Sequence, residues 1–261
     1  GNKEWTFKNT PKIVSGINKK SLKKISEFYN SIIDEVVEVS GTREAEMVKL
    51  IENTYRQVNI AMVNELAILS NMLDIDIWEV VDAAKTKPFG FQSFRPGPGV
   101  GGHCIPIDPK YLSFKTRQIG QPVRFVELAQ EINNSMPNYV ISRISELMNK
   151  KEILLKNSKI LVLGVAYKKD IGDTRESPAI DIVESLLDKS VEVSYYDPYV
   201  DDLIVNKKSI SKEQDIEKIS NYDMLIIHTP HTIFNNIDFE SIKSLIFDTT
   251  GSFTISNAER I

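Results

Sequence analysis

The sequence predicts an α/β chain, with an all-helical block followed by a parallel α/β domain. Three observations lead there. Residues 43–73 contain no proline or glycine, a run of roughly 30 residues that makes about 45 Å of helix at 1.5 Å per residue. Ile160-Leu161-Val162-Leu163-Gly164 is a continuous apolar run, as a strand buried on both faces requires. Beyond it, strand-like and helix-like stretches alternate, which implies a parallel sheet.

Residues 1–40 read as a strand–helix–strand unit. Pro11 to Gly16 is a short strand and a break, and Lys19 to Ile33 carries Leu22, Ile25, Phe28, Tyr29 and Ile32 at helical spacing. Glu35 to Val39 is a second strand. One such unit cannot build a sheet core alone. Either it packs on the helices downstream of it, or the domain it belonged to has been cut away.

Residues 41–150 read as helical. Thr42 is a good N-cap, and Glu44 and Glu46 fall in the first turn, where the helix dipole favours them. Apolar residues occupy more than one face of this helix, among them Met47, Ile51, Met62, Leu66 and Leu69, with Val48, Tyr55 and Val63 elsewhere. Such a helix is buried inside a domain or between two subunits. Ile77 to Ala84 comes next, with Trp78 in the core. Lys110 to Arg117, Val126 to Ser135 and Pro137 to Lys150 complete the block.

Residues 151–261 begin with a charged linker to Ser158. After the first strand, Ser177 as N-cap and Pro178 in the first turn open a helix to about residue 188. Val191 to Tyr196 is the next strand, stopped by Asp197-Pro198. Helix Lys212 to Ile219, strand Met224 to His228, helix Phe239 to Leu245 and strand Leu245 to Asp248 complete the domain.

Composition narrows the function. A net charge of −4 without a basic run argues against nucleic acid as partner. A single cysteine cannot form an internal disulfide, which fits a reducing, cytoplasmic setting. No apolar run is long enough to span a bilayer and no signal-peptide pattern opens the chain, so no membrane association is expected. No metal site is expected either.

That one cysteine lies in the most distinctive stretch, Pro96-Gly97-Pro98-Gly99-Val100-Gly101-Gly102-His103-Cys104-Ile105-Pro106-Ile107-Asp108-Pro109. Glycines allow close approach to a ligand, and the prolines make the loop shaped. A stiff loop delivering a thiol four residues before a carboxylate suits covalent catalysis. A tight turn around a small buried hydrophobe explains Cys104 as well. Lys49 and Asn53 share one helix face at i and i+4, as a solvated edge or as donors aimed into a site.

Tyr167-Lys168-Lys169-Asp170-Ile171-Gly172-Asp173-Thr174-Arg175-Glu176-Ser177 sets three cations at the carboxyl end of a strand. That is the ligand edge of an open α/β sheet, and such cations suit phosphate or merely pair with the aspartates. Gly164-Val165-Ala166-Tyr167 lacks the G-x-G-x-x-G spacing of a dinucleotide cradle. Asp197 sits where a ribose-binding acid would, although a turn-forming Asp-Pro accounts for it better.

Taken together, these stretches resemble the UDP-glucose/GDP-mannose dehydrogenase family, nucleotide-sugar dehydrogenases that oxidise a hexose from alcohol to carboxylate in two steps. The marks are Lys49-x-x-x-Asn53 with Asn64-Glu65-Leu66, Gly101-Gly102-His103-Cys104 with Asp108, and Tyr167-Lys168 with Asp173-x-Arg175-Glu176-Ser177. The resemblance implies a central dimerisation domain and then a Rossmann-like UDP-binding domain, with NAD as cofactor, a UDP-sugar as substrate and a homodimer through the long helix. It implies that Cys104 captures the aldehyde as a thiohemiacetal that becomes a thioester, that Lys49 and Asn53 stabilise the oxyanion, and that Asp108 orients water. The glycine amides and Lys49 would favour the thiolate. Tyr167 and Lys168 then contact uridine diphosphate, Lys87, Arg95 and Gly101 belong to the sugar-nucleotide site, and Arg175 reaches NAD. His103, in place of the serine of UDP-glucose and GDP-mannose enzymes, resembles the N-acetylhexosamine branch. Ile105-Pro106-Ile107 looks more like its UDP-N-acetylglucosamine 6-dehydrogenases than its N-acetylmannosamine enzymes.

The sequence departs from the family in two places. G-x-G-x-x-G is absent, and residues 1–40 match the last strand–helix–strand of the family's NAD-binding domain. The main NAD site and a catalytic glutamate are therefore expected outside this stretch, and the stretch by itself would be inactive. Asp248-Thr249-Thr250-Gly251 offers no arginine where relatives have Asp-x-Arg. The alternative expectation is a non-catalytic UDP-binding and dimerisation module.

Overall fold

The computed structural model describes residues 4–261, so residues 1–3 of the predicted 1–40 segment lie outside the described residues. The chain forms two compact units, residues 4–55 and 56–261.

In the first unit β1 (Lys12–Val14) and β2 (Val36–Glu38) pair in parallel, joined by α1 (Lys19–Asn30). Asn18 caps α1 by accepting from the Ser21 amide, while the Ser21 hydroxyl accepts from the Asn18 amide, a reciprocal capping box. The helix stops three residues short of the expected Ile33, and Phe28 and Ile32 lie exposed.

The helix α2 (Thr42–Met72) is unbroken over 31 residues and belongs to both units. Its first residue is Thr42 itself. Met47, Ile51, Met62, Leu66 and Leu69 form one stripe along it, which Tyr55 joins although the sequence pattern sets it elsewhere, each 42–59% exposed. In the second unit α3 (Ile77–Ala84) is capped by the Asp76 carboxylate, and Trp78 is buried as expected. The helix α4 (Asp108–Gln118) starts two residues before the predicted Lys110.

The predicted break at Pro137 does not occur: α5 (Arg124–Lys150) runs through it. A mid-helix proline costs ~3 kcal/mol or more. Met136, Val140, Ile144, Leu147 and Met148 are all buried on the same helix, and each full burial contributes about 1.5–3 kcal/mol. Packing therefore outweighs the lost hydrogen bond.

The C-terminal sheet has six strands, all parallel, in the order β10-β9-β8-β3-β4-β7. They are β3 (Lys159–Leu163), β4 (Glu192–Tyr196), β7 (Ser211–Lys212), β8 (Met224–Ile227), β9 (Leu245–Asp248) and β10 (Ala258–Arg260). Taken in chain order along the sheet, this is the doubly wound 3-2-1-4-5-6 arrangement. The helix α6 (Pro178–Asp188) crosses from β3 to β4, with Ser177 accepting from the Ala179 amide as N-cap.

Two predicted helices are replaced by 3-10 turns. Residues 212–219 give β7 and then Ile216–Asn221, and residues 239–245 shorten to Phe239–Ser241. Side chains dictate the first of these: Glu213 accepts from the Gln214 and Asp215 amides, and Asp215 from the Glu217 amide, which fixes turns in place of i→i+4 pairing. A hairpin of β5 (Ile204–Val205) and β6 (Lys208–Ser209), and β10 itself, had no signal strong enough to predict.

Candidate functional site

The glycine stretch is held in place by buried amides of the central helices. Asn64, fully buried on α2, accepts the Gly97 amide at 2.9 Å and donates to the Asn133 Oδ1 at 3.0 Å. Asn133, on α5, donates onward to the Gln57 carbonyl at 3.2 Å. In the sequence Asn64 is a family mark without a role. A polar residue at a position where the helix faces the core was the signal, but its partners lie 33 and 69 residues away.

The glycines themselves approach protein. A Cβ at Gly101 would sit 2.7 Å from the Glu176 carbonyl oxygen and 2.8 Å from Tyr167 Cβ. Gly102 has φ +91 and lies against the Tyr167 ring, and Gly99, with φ +134, lies against Pro178. The glycine density thus lets one loop seat closely on another. Gly102 donates to the Arg175 carbonyl at 3.4 Å. The His103 ring meets Tyr167 edge-on at 5.8 Å, with its Nε2 3.4 Å from Asp173.

The fold therefore brings Gly101, His103, Tyr167 and Arg175 onto one surface, with Cys104 and Lys168 exposed beside them. The Cys104 carbonyl accepts the Asp108 amide at 2.8 Å, so nucleophile candidate and carboxylate candidate span one turn at the start of α4. Arg175 grips Asp173 through both carboxylate oxygens, at 2.8–3.3 Å, and holds that carboxyl down to about 2. Asp170 at φ +60 and Glu176 at φ +52 place two non-glycine residues of this loop in the left-handed region, a strain that concentrates at binding sites.

Arg95 is drawn to α3, bonded to Asp82 at 2.6 Å with its guanidinium 5.4 Å from the Trp78 ring centre. Lys87 is exposed just after α3. Lys49 and Asn53 stand one turn apart on α2 in the first unit, Lys49 exposed and Asn53 buried.

The loop after β3 does not fit a dinucleotide. Gly164 stands alone there, and both following amides, Val165 and Ala166, are already bonded to Asp197. Asp197 also accepts the Tyr199 amide at 2.9 Å, which is the turn role expected of Asp-Pro. Among the described residues no cluster of His, Cys, Asp or Glu could hold a metal ion, and no helix is long and apolar enough to cross a membrane.

Residues 43–135 match the UDP-glucose/GDP-mannose dehydrogenase family, central domain, and residues 161–256 match that family's UDP binding domain. A UDP-N-acetyl-D-mannosamine dehydrogenase of Methanococcus aeolicus is 40% identical over 89% of this chain and 50% of its own length. A UDP-N-acetyl-D-glucosamine 6-dehydrogenase of Salmonella typhi is 37% identical over 93% of this chain and 57% of its own. The structure of a UDP-D-ManNAc dehydrogenase from Pyrococcus horikoshii superposes with a TM-score of 0.84 at 31% identity, covering 97% of this chain and 59% of that one. The chain spans about half the length of the curated relatives it matches. With both domain matches falling in order on the two motif-bearing regions, the chain belongs to the UDP-glucose/GDP-mannose dehydrogenase family.

Proposed function

We propose that this chain is the nucleophile-bearing and nucleotide-binding part of an NAD-dependent UDP-N-acetylhexosamine 6-dehydrogenase. One observation carries the reading: the loop of Cys104 is seated on the loop of Tyr167, Lys168 and Arg175. A thiol and a cation-bearing loop on one surface suit a substrate with a phosphate at one end and a reacting carbon at the other. Relatives acting on both N-acetylated epimers stand at similar identity, so the substrate is assigned as that class.

In this reading Tyr167, Lys168, Lys87, Arg95 and Gly101 take the uridine diphosphate and sugar, and His103 meets the N-acetylated ring. The Cys104 Sγ adds to the aldehyde carbon as a thiohemiacetal. The family resemblance assigns to Lys49 and Asn53 the stabilisation of the oxygen on which charge accumulates. Asp108 would orient the water that releases the acid, after loss of a hydride to the nicotinamide oxidant and of a proton has turned the thiohemiacetal into a thioester. NAD is the hydride acceptor implied by the family, with Arg175 the residue of this chain assigned to it. Because the loop after β3 does not fit a dinucleotide, no hydride step is assigned to the residues here. The apolar stripe on α2 supports self-association through that helix.

Calorimetry on the chain tests the reading. UDP and the UDP-N-acetylhexosamines are expected to bind, NAD to bind weakly or not at all, and Lys168→Ala to weaken the nucleotide. A full-length enzyme should produce NADH with a UDP-N-acetylhexosamine and lose it on Cys104→Ala. Absence of UDP binding, or full activity in Cys104→Ala, refutes it; UDP binding without turnover in the full-length enzyme favours a non-catalytic module.

A further inference from the structure

The doubly wound order leaves a crevice between the carboxyl ends of β3 and β8, where folds of this type seat a phosphate-bearing ligand. Here protein fills it. Gly164 has φ +77, and a Cβ on it would lie 2.2 Å from the Thr229 carbonyl oxygen. The Thr229 hydroxyl donates to the Ala166 carbonyl.

The two amides after Gly164 are those that would meet a phosphate in a cradle of this kind. One carboxylate oxygen takes both: Asp197 Oδ2 accepts Val165 N at 2.8 Å and Ala166 N at 3.2 Å. The same oxygen lies 3.0 Å from His231 Nε2, and both side chains are completely buried. The other ring nitrogen, Nδ1, receives the Asp170 amide at 2.9 Å. A backbone N–H can only donate, so Nδ1 accepts and the ring proton sits on Nε2, directed at Asp197. His231 is therefore the neutral Nε2–H tautomer, assigned from its partners. The Asp170 carboxylate is tied in turn to the Thr232 amide at 2.8 Å. These bonds hold the loop that contains Tyr167 and Lys168, and Asp170 itself is in the left-handed region.

We propose that Asp197 is a built-in anion standing where this fold would otherwise take a phosphate, and that Asp197 and His231 are the positioning pair that shapes the 165–170 loop for its nucleotide. The nucleotide clause rests on the function proposed above; the anchoring of the loop stands independently. Burial pushes the Asp197 carboxyl up, but the bonds from His231, Val165 and Tyr199 outweigh it and leave it below the usual carboxylate range.

Hydrogen exchange on the whole chain, with UDP calorimetry beside it, tests the proposal. In Asp197→Ala the amides of residues 165–170 should exchange roughly tenfold faster or more, the scale of a lost charge-assisted bond, with β3 and β8 little changed. Added formate should restore protection by refilling the carboxylate position, and UDP affinity should fall and recover in parallel. His231→Asn retains the acceptor for Asp170, and His231→Gln retains the donor to Asp197. Each should loosen the loop less than Asp197→Ala, and they decide the matter if that variant does not fold. Unchanged loop exchange, or faster exchange spread evenly through the sheet with no response to formate, overturns the proposal. If the loop responds but wild-type chain binds no UDP, the anchoring holds and the functional reading falls.

Discussion

His228 should make the second unit lose stability as the pH falls below neutrality. It is buried at the end of β8, with Nδ1 2.9 Å from the Thr229 hydroxyl. That hydroxyl spends its one hydrogen on the Ala166 carbonyl, so it can only accept from His228. The imidazole is therefore neutral with its proton on Nδ1, and its Nε2 has no hydrogen-bond partner among the described residues. Burial lowers its pKa from 6.5 to about 4. Between those values the unfolded chain carries a proton that the folded chain does not, so stability rises with pH across that window and falls on acidification. The slope is about 1.4 kcal/mol per pH unit, or about 3 kcal/mol over the whole window. Equilibrium urea unfolding from pH 8 to pH 4, followed by circular dichroism, measures it against His228→Asn. The variant keeps a donor for Thr229, loses the titration and leaves a cavity, so it should be less stable near neutrality but flatter with pH. Equal slopes in the two proteins would refute the assignment.

Three further substitutions probe the loop seating. Asn64→Ala orphans the Gly97 amide and the Asn133 carbonyl oxygen of its side chain, and should cost about 2–4 kcal/mol in urea unfolding while exposing Cys104 to faster modification by a thiol reagent. Gly101→Ala forces a Cβ into backbone and side-chain atoms under 3 Å away, and should cost about 1–3 kcal/mol. Gly97→Ala meets nothing within 4 Å, and its thermal unfolding should match wild type to within about 0.5 kcal/mol.

What the sequence determined by itself was the family, the fold class and most of the main elements. The long helix, the buried β3, the α6 cap and the cysteine and cation loops were legible because each rests on local causes: periodicity, propensity, capping, residue type. Local rules failed where distant atoms decided. Pro137 sits inside a helix because core packing on that helix outweighs one hydrogen bond. The 3-10 turn after β7 replaced a helix because Glu213 and Asp215 claim the backbone amides. The glycines of the Cys104 loop read as room for a ligand, and only the tertiary structure showed that Gly101 and Gly102 also pack directly against Tyr167 and Glu176. Asp197 read as a turn residue, and it is one, but its second oxygen holds amides 31 and 32 residues away and a histidine 34 residues away. Spacing along the chain carries no trace of such pairs, because a hydrogen bond depends on where the sheet order brings its two ends, and that order is settled only when the whole domain packs.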